Sequence, residues 1–314
     1  MPRIPLFPIA AIATAQSVRE LQPHLQGILE LKHTVIPLYL TALFSIRDRA
    51  NKAIREILHC ALVDEMLHVA LIANILNATG CPPILTGRGL VRSYPARLPL
   101  DASGIELGLK KFSPELVRDV FMTLDTPDAP VHSSLDRFAA DRSHGTISQF
   151  YRAIIEKFDE FGGSVFVGKS ALQFVDSVSY SERELFRVSD AASAIRALRL
   201  VAGEDNTRSR RLQQLACCGA GDDVPFDPAD VIDLVENSRA AMYTPGSPAR
   251  AAIDAFNSTY CSLLAALNEA FNGRPERYEF AVSSMYQLTG LARSIVAIER
   301  GDGTFAAPSF EWSD

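Results

Sequence analysis

The sequence predicts an all-α protein, a four-helix bundle with long loop insertions and additional C-terminal helices. Three observations predict it. Apolar residues recur at helical spacing through most of the chain. Two long apolar segments, 16–46 and 51–79, follow each other with only a few residues between them, as antiparallel neighbours in a bundle do. No sustained alternating pattern competes, so strands are expected to be minor.

Segment 16–46 opens at Ser17 with Glu20 three residues on, the spacing of a capping box. Pro37 lies inside it and predicts a kink or the end of one turn. Segment 51–79 starts near Asn51 and stops at Gly80, followed by Pro82 and Pro83. The short link around 47–50 makes the two segments a helical hairpin. Residues 80–145 carry Pro82, Pro83, Pro95, Pro99, Pro114, Pro127 and Pro130, so they read as a loop insertion with a short helix at 113–123. A loop of that length suggests a lid or a pocket wall. Helix returns at 146–161, from Thr146 to the Gly162-Gly163 stop, and again at 187–215, with Asp190 near its start and Ala194, Ala197, Leu198 and Val201 on one face. Residues 219–230 are rich in Gly, Asp and Pro. They divide a bundle over 1–218 from a C-terminal helical portion over 219–314, packed together as one compact domain. That portion is expected to hold helices at 228–239, 248–272 and 275–299 and an extended tail.

Composition narrows the function classes. A net charge of −6 gives no electrostatic case for nucleic acid. The stretch Arg208-Ser209-Arg210-Arg211 is short and reads as a solvated helix end. Cys60, Cys81, Cys217, Cys218 and Cys261 are odd in number and contain no C-x-x-C pair, which suggests a reduced, cytoplasmic protein. The apolar N-terminus is broken by Pro5 and Pro8 and lacks a convincing cleavage site, so secretion is not expected. No apolar run reaches membrane-spanning length free of charge and proline. The partner expected is a hydrophobic small molecule, and the apolar final helices could serve a homodimer interface.

Chemistry concentrates on the first hairpin. Glu65 and His68 form an E-x-x-H pair on a helix whose flanks, Ala61, Leu62, Val63, Met66, Leu67, Val69 and Ala70, are apolar on nearly every face. Positions i and i+3 share one helical face. A carboxylate and an imidazole therefore converge on one interior point, as in half of a dimetal centre. Buried there, they require partners. On the preceding helix, where a second carboxylate is expected, the chain has Lys32. Tyr151 could reach the bundle interior, although a buried tyrosine is more often structural, and Tyr39, Tyr260 and Tyr286 are similar. His33 is as well explained by core packing as by function. His24, His59 and His132 carry no partner signal, and His144 precedes a helix start and reads as exposed. There is no P-loop and no dinucleotide fingerprint, and no distinctive context for a haem ligand.

The chain resembles the ferritin-like family related to the C-terminal part of the iminophenyl-pyruvate dimer synthases of violacein and rebeccamycin assembly. The resemblance rests on HTVIPLYLTALFSI at 33–46, DEMLHVALIANILNATG at 64–80, FMTLDTP at 121–127 and TISQFYRAI at 146–154. It continues through DAASAIRALRL at 190–200, AFNSTYCSLLAALNEAFNG at 255–273 and AAPSFEW at 306–312. It implies a ferritin-like bundle with extra C-terminal helices and a place in natural-product biosynthesis. Glu65 and His68 match the family's metal ligands. Lys32 replaces the glutamate usually found before the position of His33. Gly203 falls where another ligand glutamate is expected, Ser209 or Arg210 near a ligand histidine, and Asn268 at a further histidine position.

A protonated lysine has no lone pair for a metal but supplies positive charge. Three readings follow. In the first, the protein is an enzyme without a cofactor that performs non-oxidative acid–base chemistry, a cyclisation or isomerisation of a hydrophobic intermediate. Lys32 acts there as acid, base, imine-forming nucleophile or fixed cation, with Glu65, His68 as proton shuttle, and Tyr151. In the second, it is a non-haem iron or manganese oxidase acting on an amino-acid-derived intermediate, with Glu65, His68 and either Glu204 or Asp205 as ligands. In the third, it is a non-catalytic scaffold or ligand-binding protein.

Overall fold

A computed structural model describes residues 3–98, 106–125, 144–178, 180–181, 184–203, 207–219 and 224–313. The first elements are β1 (Arg3–Pro5), α1 (Leu6–Thr14), α2 (Val18–Phe44) and α3 (Lys52–Ala78). Next come two short strands, β2 (Ala96–Arg97) and β3 (Glu106–Leu107), and a helical stretch made of α4 (Pro114–Leu116), a π-helical turn (Val117–Phe121) and α5 (Met122–Asp125). After β4 (His144–Thr146) follow α6 (Ile147–Phe161), α7 (Ala191–Ala202), α8 (Thr207–Ala216), α9 (Pro248–Ala270) and α10 (Arg277–Ile295). Among the described residues the strands form two antiparallel pairs, β1 with β4 and β2 with β3.

The bundle is built as the periodicity predicts. α2 packs along α3, α6 along α7, and α3 against α7 and α8. Between α3 and α6 the described residues are loop segments, the short strands β2, β3 and β4, and the helical stretch from Pro114 to Asp125. α9 and α10 form a second hairpin. Fully buried Tyr39, Phe121, Phe150, Phe158, Phe256 and Phe310 join both parts in one apolar core. No helix among the described residues is long and apolar enough to cross a membrane.

Several local expectations hold and several are corrected. Thr146 and Gln149 form the capping box that opens α6, and Asp190 and Ser193 form the one that opens α7. Ser17 is the N-cap of α2, but its hydroxyl donates to the Glu20 carboxylate (2.8 Å) and caps no backbone N–H. Pro37 does not end α2, which runs to Phe44. The missing proline N–H removes one backbone bond, and the packing of a long buried helix outweighs it. Asn51 precedes α3 in a left-handed conformation, and its side chain clamps the backbone of Asp227 instead of capping the helix (3.0 and 2.9 Å). The short helix expected at 113–123 spans Pro114–Asp125 and contains the π turn.

Two larger corrections bear on the site and on the C-terminal portion. The helix expected over 187–215 is two helices. α7 ends at Gly203, whose φ of +75° belongs to the left-handed region that suits glycine at a helix stop. Residues 228–239 hold one 3-10 turn, Pro228–Asp230, and single bridges from Val231 to Ile46 and from Leu234 to Phe305. Isolated bridges use the backbone groups that a helix there would have kept to itself.

The far end of α3 is locked to the segments that follow. Asn74 exchanges two hydrogen bonds with Phe174 (2.7 and 2.8 Å) and donates to the Phe186 carbonyl, and Asn77 donates to Leu172 and Phe271. These buried amides fix the position of α3, and with it Glu65 and His68.

Candidate functional site

The bundle centre is assembled from five helices. α2 supplies Lys32 and Tyr39, seven residues apart and therefore on one face. α3 supplies Glu65 and His68. α6 supplies Tyr151 and α8 supplies Arg208, while Asp125 enters from the end of α5. Glu65 is 1% exposed and His68 6%, as their apolar flanks predict.

Arg208 is the residue that the sequence pattern places wrongly. It is 8% exposed and not part of a solvated face. Its Nη2 donates to Glu65 Oε1 and to Tyr39 Oη (3.1 Å), and its Nε lies 3.0 Å from Asp125 Oδ1. Ser209 donates to the other oxygen of Asp125 (2.8 Å). Tyr39 in turn stacks on Phe121 of the π turn at 4.3 Å. Arg210 is exposed, so the helix end is solvated on one side only. A usable signal was present. Arg208, Leu212 and Leu215 stand at i, i+4 and i+7, and both leucines are fully buried. Arg208 thus occupies a core position of an amphipathic helix.

Lys32 approaches the second oxygen of the carboxylate, Nζ to Glu65 Oε2 at 3.8 Å, and its side chain remains 15% exposed. His68 Nδ1 lies 3.4 Å from the same oxygen. Glu65 Oε2, His68 Nδ1 and Tyr151 Oη are all buried without a well-formed hydrogen bond among the described residues. Glu204 and Asp205, the candidate replacement ligands, lie outside the described residues, as does His132; of His144 the backbone in β4 is described, not the side chain.

The electrostatics follow from this placement. Burial alone would raise the Glu65 carboxyl, but the Arg208 guanidinium and then the Lys32 ammonium hold it well below the usual carboxylate range. Burial lowers Lys32, and this outweighs the opposing pull of Glu65. Burial, reinforced by Lys32, lowers His68 to about 4, so its imidazole is neutral at pH 7. Burial pushes the Tyr39 hydroxyl up to about 12 and raises Tyr151 further, with Glu65 adding to the latter. The Arg208 guanidinium and the Lys32 amino group therefore face the carboxylates of Glu65 and Asp125 beside a neutral imidazole and two neutral phenols.

The donor set of the described residues does not fit a metal ion. Both oxygens of Glu65 face cations, and guanidinium and ammonium groups offer no lone pair. Among the described residues, no three His, Cys, Asp or Glu side chains converge as a metal site.

The remaining candidates lie elsewhere. His33 is buried on the adjoining face of α2, where Nε2 meets Tyr260 Oη at 2.8 Å. Asn268 accepts a hydrogen bond from the Leu85 backbone (2.9 Å) and so ties the loop insertion to α9. Tyr286 is 77% exposed and does not face the interior. His24 packs edge-on against Phe150.

Comparison with known proteins agrees with this architecture. A family described as ferritin-like matches residues 25–214, the span that carries every side chain of the centre. The fold is similar to that of a ferritin-like protein from Caulobacter vibrioides, with a TM-score of 0.67 and 21% sequence identity. That match covers 94% of this chain and 99% of the other. None of the curated proteins compared matches the chain.

Proposed function

The chain belongs to the ferritin-like family, and on that footing we propose that it is an enzyme whose bundle centre performs acid–base chemistry with protein cations in place of metal ions. The substrate is a hydrophobic small molecule bearing a ketone. Its setting in natural-product biosynthesis follows the resemblance to the iminophenyl-pyruvate dimer synthase relatives. One observation carries the reading. Among the described residues, the buried atoms Glu65 Oε2, His68 Nδ1 and Tyr151 Oη lack a well-formed hydrogen bond. Unsatisfied buried groups are costly and call for a partner, here the polar end of a ligand. Of Lys32, Glu65 and Arg208, Lys32 is the most exposed, at 15% of its side chain, and this favours substrate approach from its side.

The chemistry follows from the charge arrangement. Neutral His68 takes a proton from the carbon next to the ketone, and the electron pair moves onto the ketone oxygen. Glu65, 3.4 Å away, offsets the charge of the imidazolium that forms. The Lys32 ammonium and the Tyr151 hydroxyl stabilise the enolate oxygen. For isomerisation, the imidazolium returns the proton to a different carbon. For cyclisation, the enolate carbon attacks an internal carbonyl, and the imidazolium protonates the new alkoxide. Arg208 keeps Glu65 ionised and in place.

A second reading has its own support. Arg208 already bridges Glu65 and Asp125, as in a purely structural cluster. One experiment separates the two. Aryl 2-oxo acids and aryl ketones are incubated with the protein in D2O, and exchange at the carbon next to the carbonyl is followed by NMR. We expect accelerated exchange that falls by roughly 100-fold or more in His68→Ala and falls strongly in Lys32→Met. No acceleration with any probe, or acceleration indifferent to both variants, would leave the scaffold reading.

A further inference from the structure

We infer that Arg208 and Lys32 are the residues that keep this centre closed to metal, and that Glu65 and His68 bind a divalent first-row transition cation once both are replaced and a third donor is supplied. The inference rests on the metal-free reading of the centre and adds to it the identity of the excluding groups.

The geometry points to Arg208 first. Its guanidinium bridges two carboxylates that come from different elements, Nη2 to Glu65 and Nε to Asp125. There it supplies the positive charge that a metal ion would otherwise bring to the two carboxylates. Guanidinium stays charged at every accessible pH, so the blockade does not lift on titration. α8 brings it there because α7 stops at Gly203 and a separate helix begins at Thr207. Ser209, next along, binds the same Asp125 carboxylate and fixes the register of α8 against α5.

Lys32 closes the other side. Its ammonium lies 3.8 Å from Glu65 Oε2, facing the oxygen that Arg208 leaves free. Removing the cations alone is not sufficient. Among the described residues no three His, Cys, Asp or Glu side chains converge, so a third donor must be added. Lys32→Glu adds it on the side of Glu65 Oε2, and Arg208→Ala removes the bridge and frees Asp125. A first-row cation with oxygen and nitrogen donors at about 2.0–2.2 Å then has Glu65, His68 and the introduced carboxylate as ligands.

The test titrates Mn²⁺ into the wild-type protein and the Lys32→Glu/Arg208→Ala variant by calorimetry, and records the visible spectrum with Co²⁺. We expect one equivalent in the variant, bound on the order of 100-fold or more tighter than by the wild type, the scale of a close charge reversal in a protein interior. Adding Glu65→Gln should abolish this binding. Ligand-field bands of bound Co²⁺ should appear in the variant alone. If the variant folds only when refolded with Mn²⁺, the inference is equally supported. If it folds and takes up no metal, or fails to fold even with Mn²⁺ while Lys32→Gln/Arg208→Ala folds and binds none, the inference is overturned and the metal-free reading stands. Stoichiometric binding by the wild type that is lost in Glu65→Gln overturns both.

Discussion

Glu65→Gln should destabilise the protein by about 3–5 kcal/mol, the cost of breaking a buried ion pair from one side. The amide would be nearly isosteric, so little of the loss would come from packing. It would come from Arg208, which is 8% exposed, and Lys32, which would then face each other across a group without charge. Removing one of those cations as well should recover part of the loss, so Lys32→Met in the Glu65→Gln background is expected to be more stable than Glu65→Gln alone. Urea denaturation of the single variants and the pair measures this coupling. A loss below about 1 kcal/mol, the value of an exposed pair, would mean that the three charges are not holding one another.

Acid should destabilise the protein steeply, through two buried histidines. Burial lowers His68 from 6.5 to about 4, and burial followed by Arg92 does the same to His33. A base whose folded value is depressed binds more protons when unfolded. Its contribution is therefore complete above pH 6.5 and is lost as pH falls toward 4. Each histidine is expected to contribute roughly 3 kcal/mol over that window, since every tenfold loss of proton affinity on folding corresponds to about 1.4 kcal/mol. Denaturation midpoints between pH 7 and pH 4 test this. His68→Asn should flatten the dependence by about half, and a profile unchanged by that variant would contradict neutral burial of His68.

Much of the fold was legible because it depends on long periodic segments. The hairpin of α2 and α3, the stop at Gly80, and the caps of α6 and α7 all followed from apolar spacing and a few capping residues. Elements fixed by tertiary bridges were not legible. Residues 228–239 carry helical spacing, yet their backbone pairs with Ile46 and Phe305. At the site, Glu65, His68 and Lys32 could be read because helical geometry brings together positions on neighbouring turns and faces. Arg208 was misread because a run of basic residues resembles a solvated face. Its register with Leu212 and Leu215 was the better guide, since position on the apolar stripe decides burial before residue type does. Asp125 had no local signal at all. Its role depends on where the π turn and α8 meet, which no spacing along the chain encodes.

The central claim is that Arg208 and Lys32 occupy the place of metal ions around Glu65. The most direct measurement is the metal content of the native protein, purified from cells supplemented with iron and manganese and analysed by elemental mass spectrometry beside Glu65→Gln. The expected result is metal far below one equivalent, unchanged by the substitution. One or more equivalents of iron or manganese, lost in Glu65→Gln, would contradict the account and point to an oxygen-using centre.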